Sequence, residues 1–178
     1  MKKALLLLLL VITLNLSAQS TADTTNYHAQ AVEAMMDQRY AEAISLLEQA
    51  LATNEDMDIA LYNKGVCHMS LEQYEVAINT FAKAIEITED DQLRLRAIYQ
   101  SAYLQRNKTK DLVSALQNTE RGIAIDSLHI QSHYMRGLVL HDMGRWGEAI
   151  KSFNVAIALA PSNAGAYYDR GVAKRKLG

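Results

Sequence analysis

The sequence is poor in residues that interrupt helices, cross-link a chain or give it a strong charge. Proline occurs once in 178 residues. Proline breaks a helix interior, and strand formers are not grouped in alternating runs here, so its scarcity points to an all-helical chain. Cysteine also occurs once, as Cys67, which rules out an intramolecular disulfide and leaves stability to packing alone. The formal charge is −2, and the one basic cluster, Lys174-Arg175-Lys176, is short and terminal. No electrostatic footprint for nucleic acid is present. There is no Gly-rich phosphate loop, zinc-protease helix motif or nucleophile elbow, and no spacing gathers the Ser, His and Asp residues. Neither an enzyme nor a cofactor is expected.

What the chain does have is a hydrophobic fraction of 49% against 21% charged residues, enough to build a core and too much for wholesale disorder. Its first residues stand apart from that core. Lys2 and Lys3 precede an apolar run, Ala4 to Leu16, broken by Thr13 and Asn15; Leu16-Ser17-Ala18 follows as a small-residue cleavage pattern. This is the form of a secretory signal peptide over residues 1–18, with Gln19 as the mature N-terminus. The run is shorter than the roughly 20 residues a spanning helix needs, and no cysteine follows it for a lipid. The expectation is therefore a periplasmic or secreted protein with no stable membrane anchor after cleavage. Losing two lysines and no acid would move the formal charge from −2 to −4.

Shifting the sequence against itself by 34 residues aligns Ala43 with Ala77, Ala50 with Ala84, Ala31 with Gly65 and Tyr40 with Tyr74. The same shift aligns Ala115 with Ala149, Gly122 with Ala156, Gly137 with Gly171 and Leu112 with Trp146. The clearest copy is residues 130–163, with Gly137, Leu140, Gly144, Trp146, Ala149, Phe153, Ala156 and Pro161. Residues 58–91 carry Gly65, Tyr74, Ala77, Phe81 and Ala84; residues 24–57 carry Ala31, Tyr40, Ala43, Leu47 and Ala50. A small residue in a first helix lets a second approach, alanines seven apart admit neighbours, and the bulky residue between them fills the remaining space. One helix pair is too small to be stable, and about three must stack.

This pattern resembles the tetratricopeptide-repeat (TPR) family. The resemblance implies an all-α, right-handed superhelical solenoid of antiparallel helix pairs. Repeats are expected at 24–57, 58–91, 95–129 and 130–163, with 164–178 the first helix of a fifth, either a cap or cut short. The helices are expected at 25–37, 41–53, 58–70, 74–87, 90–106, 111–124, 130–142, 146–159 and 164–177. The third repeat is irregular: Ala77 to Ala115 is 38, four more than the period. Three extra residues precede Ala102 and one falls in the turn Asn107-Lys108-Thr109-Lys110. Thr88-x-x-Asp91 has the form of a capping box, which would start that helix about one turn early. With Thr119 at the bulky position, this repeat is expected to bend or pack more loosely.

In the TPR family the first helices line the concave face, and the fifth residue of each repeat points into it. By that resemblance the groove carries His28, Tyr62, Tyr99, Tyr134 and Tyr168, with Asn63, Gln100 and Asp169 beside them. Tyrosine gives broad contact and a hydroxyl at low entropy cost, which suits a protein or extended-peptide partner, though tyrosine is also habitual at this position in the family. Replacing Tyr99 and Tyr134 by alanine is expected to abolish capture and leave stability nearly unchanged. The charged clamp of one co-chaperone subclass is absent, since His28, Val32 and Gln100 stand where its other residues belong. His129, His133 and His141 could share a helical side, but nothing completes a metal set, and none is expected. Cys67 is expected as a packed thiol. The function expected is an exported adaptor, the alternative a structural protein that self-associates into homo-oligomers through the fifth first-helix.

Overall fold

The structure, a computed structural model, describes residues 27–53 and 57–178. The expected signal peptide and the start of the first repeat lie outside the described residues. Among the described residues nine α-helices follow one another, the first eight as antiparallel pairs: α1 (27–36) and α2 (Tyr40–Ala52), α3 (Met57–Ser70) and α4 (Tyr74–Ile87), and α5 (Asp91–Leu104) and α6 (Leu112–Ile125). The remaining pair is α7 (Ile130–Asp142) with α8 (Trp146–Leu159), and α9 (Ala164–Leu177) stacks on α8. No strand occurs among the described residues. Each helix packs on its sequence neighbours, and the first helices α3, α5, α7 and α9 also touch one another in succession. No two second helices pack comparably among the described residues, so the first helices occupy the inner side of the stack.

The core is a ladder of small residues with one large side chain per repeat. Phe81 and Phe153 are fully buried, and each ring lies on the glycine 16 residues before it. A Cβ on Gly65 would stand 2.6 Å from Phe81 Cε1, and one on Gly137 2.5 Å from Phe153 Cε1. Only a residue without a side chain leaves room there. The first repeat makes the opposite trade: Ala31 and Leu47, also 16 apart, share one buried cluster. In the third, alanine stands at 102 and the bulky position shrinks to Thr119, which is buried and donates its hydroxyl to the Leu116 carbonyl at 2.7 Å. Volume is thus traded within the pairs of the first, second and fourth repeats, because interiors tolerate neither voids nor overlap, while the third pair is smaller.

The turns inside each pair share one device. Gln38, Glu72, Lys110 and Gly144 all have left-handed backbone, with φ of 61°, 60°, 62° and 74°. In three of these turns the following amide closes back on the first helix: Arg39 N–H on the Ala34 carbonyl, Gln73 on His68 and Arg145 on Leu140. This is the paired closure that ends helices on a left-handed residue. A glycine occupies that position only at 144.

The irregular repeat absorbs its four extra residues at the two ends of α5. At its start the helix is longer by about one turn, and the capping residue is Asp90 rather than the expected Thr88. Asp90 accepts the Gln92 amide at 2.8 Å, while the Thr88 hydroxyl donates to the Asp58 carboxylate at 2.7 Å and its oxygen accepts the Asp90 amide at 3.2 Å. At its end α5 does not open into a free turn. It winds into a π-helical turn, Gln105–Thr109, which takes up the one additional residue between Ala102 and Ala115. Lys108 in that turn lies 4.9 Å above the Tyr74 ring of the preceding repeat.

Candidate functional site

The inner face is built from the first helices, which carry the fifth and sixth positions of each repeat. Tyr62 and Tyr134 are half-buried, and their rings lie tilted against Phe81 and Phe153 at centroid distances of 5.6 and 6.0 Å. Each tyrosine therefore presents one edge to the groove and lends the other to the core. The Tyr134 hydroxyl donates to Asp169 at 2.7 Å, linking the fourth repeat to α9. Burial first, and then this carboxylate, pushes the hydroxyl up to about 12. Removing the Tyr134 ring would leave a gap beside Phe153, so the expectation of an unchanged stability does not hold for that residue.

Asn63 is committed as well. Its amide lies 3.1 Å from His28 Nε2, joining the first and second repeats across the groove floor. Tyr168 is the most open of the four tyrosines, at 70% exposure.

Between these rungs the groove deepens into a cavity of about 270 Å³. Tyr62 and Tyr99 form two of its walls, Leu95 lies on it from the early turn of α5, and Gln100 stands beside Tyr99. The Arg96 guanidinium sits 5.5 Å above the Tyr62 ring, and the Arg96 side chain is exposed. His129, which immediately precedes α7, and Gln131 in its first turn close it. The His129 Nδ1 lies 2.8 Å from the Ser132 hydroxyl, and burial lowers its pKa, which keeps the ring neutral at pH 7. Burial raises the Tyr99 pKa, so this hydroxyl too stays protonated. Around the rim lie one cation, two amides and two hydroxyls, with no carboxylate among the lining residues.

Of the six groove residues taken from the sequence, Tyr62, Tyr99 and Gln100 meet in this cavity. Asn63, Tyr134 and Tyr168 do not. Arg96 also belongs to the cavity, as do His129 and Gln131, which had not been singled out as groove residues. Arg96 and Gln131 each stand at the second position of a repeat, three residues before the tyrosine, and that spacing is a signal in the sequence. Arg106, farther along α5, is paired with Asp142 at 2.7 Å. His133 gives its Nε2 side to the Ser127 carbonyl, 2.9 Å away, and no group of three His, Cys, Asp or Glu side chains is placed to hold a metal among the described residues. Cys67 is fully buried, and burial lifts its thiol to about 11.

Residues 34–102 match the family described as tetratricopeptide repeat, and residues 137–178 match a second family described as TPR repeat. The chain belongs to the TPR family. Its TPR helices superpose on the crystal structure of MamA with a TM-score of 0.77, at 22% identity, covering 87% of this chain and 82% of that one. They superpose on YrrB, described as a TPR protein with an unusual peptide-binding site, with a TM-score of 0.68 at 22% identity, covering 84% and 75%. The first TPR of Spaghetti (RPAP3), bound to an HSP90 peptide, gives 0.61 at 18% identity, covering 67% and 92%. At these identities the likeness is one of fold. Among curated proteins, human protein unc-45 homolog B is 30% identical over 59% of this chain. The TPR and J domain-containing co-chaperone DNJ1 of Fusarium oxysporum f. sp. lycopersici is 33% identical over 47%. The TPR chain spans 11% of the first of these relatives and 16% of the second.

Proposed function

We propose that this TPR chain is an exported adaptor that holds an extended peptide segment of a partner protein against its inner face. The observation that carries the reading is the cavity between Tyr62 and Tyr99, with Arg96 stacked at its rim. A pocket that combines aromatic walls with a few polar groups suits one anchoring side chain, while the flanking rungs contact the rest of an extended segment. Peptide binding by YrrB and by the RPAP3 repeat, proteins of the same fold, supports the reading. The N-terminal pattern of residues 1–18 supports export.

The test selects ligands from a displayed library of linear dodecamers and titrates them by fluorescence polarisation. Arg96→Ala and Gln100→Ala, which touch the cavity from partly exposed positions, are each expected to weaken binding about tenfold, and Tyr99→Ala more. Selected peptides that bind all three variants within twofold of the parent would refute the groove. Export is checked separately, by mass spectrometry of the protein in the envelope fraction. A chain beginning at Gln19 is expected, and one retaining residues 1–18 would refute cleavage.

A further inference from the structure

A second cavity, of about 260 Å³, opens beside the π turn, between α4 and the start of α6, and shares no residue with the groove cavity. Glu75, Asn79 and Asp111 line it from exposed positions, and Ile78, Thr109 and Gln105 from less exposed ones. Neither carboxylate forms an ion pair among the described residues. Asp111 caps α6 and accepts the Ser114 amide at 3.1 Å. Hydrogen bonds from Ser114 hold its carboxyl below the usual range, so it is charged at neutral pH. Those donors are neutral and leave the charge without a counter-ion. The cations of the π turn do not supply one: Arg106 pairs with Asp142, Lys108 lies on the Tyr74 ring, and Lys110 after it forms no ion pair among the described residues. Gln105 is 8% exposed; its carbonyl oxygen accepts the Asn118 amide at 2.9 Å, and its amide nitrogen has no partner among the described residues.

We propose that this cavity receives an arginine side chain of a partner protein, with the guanidinium between Glu75 and Asp111 and the stem on Ile78. The equivalent turns of the other repeats show the counter-ion that this edge lacks. In the first and fourth, the residue before the second helix is an arginine, Arg39 or Arg145, and each pairs with a glutamate three residues on, at 2.5 and 2.7 Å. In the second and third that residue is Gln73 or Asp111, so no arginine stands beside Glu75 or Asp111. A guanidinium offers donors in a planar fork and an apolar stem, which suits two carboxylates above a half-buried isoleucine better than an ammonium does. The amides of Gln105 and Asn118 can turn together by half a rotation. That keeps their bond in the reverse sense and offers the Gln105 carbonyl oxygen to the ligand. A divalent metal ion fits less well, because no third Asp, Glu, His or Cys is placed to join the pair among the described residues. The π turn that borders the cavity occurs in the third repeat alone among the described residues, so the site is single, and π turns are frequent at functional sites. This site does not depend on the groove.

The probe is the peptide acetyl-Ala-Leu-Arg-Leu-Ala amide, titrated into the full chain by NMR, with a citrulline analogue that keeps the shape of arginine and removes its charge. Saturable shifts are expected at the amides of Thr109 to Ser114, and binding about tenfold weaker for the citrulline peptide. Glu75→Gln and Asp111→Asn should each weaken the arginine peptide about tenfold, and Tyr99→Ala in the groove should leave it unchanged. Asparagine caps a helix as well as aspartate does, so the thermal melt of Asp111→Asn should match the parent's, which separates loss of the site from loss of the fold. Equal binding of the citrulline peptide, or binding indifferent to both acidic variants, overturns the site. Calcium chloride that displaces the peptide and itself requires Glu75 and Asp111 would overturn the partner, by giving the cavity to a metal ion.

Discussion

Placing alanine at Gly137 and, in a separate variant, at Gly171 applies one chemical change to equivalent helix positions with opposite surroundings. Within a helix, alanine is favoured over glycine by about 1 kcal/mol. At Gly171 the added methyl meets open space, so the full gain should appear, as a Tm higher by about 2–4 °C for a domain of this size. At Gly137 the methyl would lie 2.5 and 2.6 Å from two carbons of the buried Phe153 ring. That is about 1 Å inside the ordinary carbon contact of roughly 3.5 Å. Overpacking of this kind costs about 2–3 kcal/mol. After the propensity gain, a net loss of about 1–2 kcal/mol and a Tm lower by about 3–6 °C should remain. Adding Phe153→Leu recreates the Ala31/Leu47 combination of the first repeat. That double variant should recover about 1–2 kcal/mol relative to the sum of the single changes, as expected of side chains in contact. Circular dichroism at 222 nm, with urea titrations of the same variants, measures all four quantities. Alanines that shift Tm equally at both positions, or a strictly additive double variant, would refute the volume trade as the basis of the repeat.

Three further outcomes follow from the same structure. Tyr134 carries a pKa near 12 in the fold against 10.0 for a free phenol, so its protonated form stabilises the native state below pH 10, and that contribution is lost between pH 10 and 12. Tyr134→Phe should remove this alkaline loss in a pH series of urea melts, and should cost about 1 kcal/mol at neutral pH through the bond to Asp169. Cys67, buried and raised to about 11, should resist an aromatic disulfide reagent at pH 8 in the native protein and react fully in urea; equal rates in both would place the thiol at the surface. Glu72→Gly should stabilise by up to about 1 kcal/mol by relieving a left-handed side-chain residue, while Gly144→Ala should destabilise by about 1–2 kcal/mol, both read from urea midpoints.

The sequence made the helices legible because the repeat carries its own ruler. The limits expected for the helices at 74–87, 130–142, 146–159 and 164–177 agree with α4, α7, α8 and α9. In each, ring and alanine positions recur at one spacing and leave no freedom in phase. The third repeat was legible in length and not in shape. Counting residues locates four extra ones, but a single additional residue can leave a helix as a loop or be wound into a π turn. Packing of Lys108 on Tyr74 accompanies the second outcome. The left-handed backbone at Gln38, Glu72 and Lys110 gave no signal, since glycine marks that position only at 144. In the groove, spacing assigned Tyr62 and Tyr99 to the inner face. It did not reveal that Asn63 would turn to His28, or that the start of α7 would supply His129 and Gln131, because such contacts join separate first helices and depend on how each side chain is already engaged.

The π turn and the early start of α5 have a consequence for folding fidelity. An array of near-identical units can assemble out of step, pairing a first helix with the second helix of the wrong unit, much as a slipped strand re-anneals on a repetitive template. In the first, second and fourth units the buried alanine of the second helix (Ala43, Ala77, Ala149) stands 12 positions after the small residue of the first; in the third, Ala115 stands 13 after Ala102. Any pairing displaced by one unit must therefore set a 13-residue span where the neighbours require 12. It must also bring alanine or threonine to places shaped for glycine and phenylalanine. The odd unit in the middle acts as an index mark, and it gives the stack one way to close.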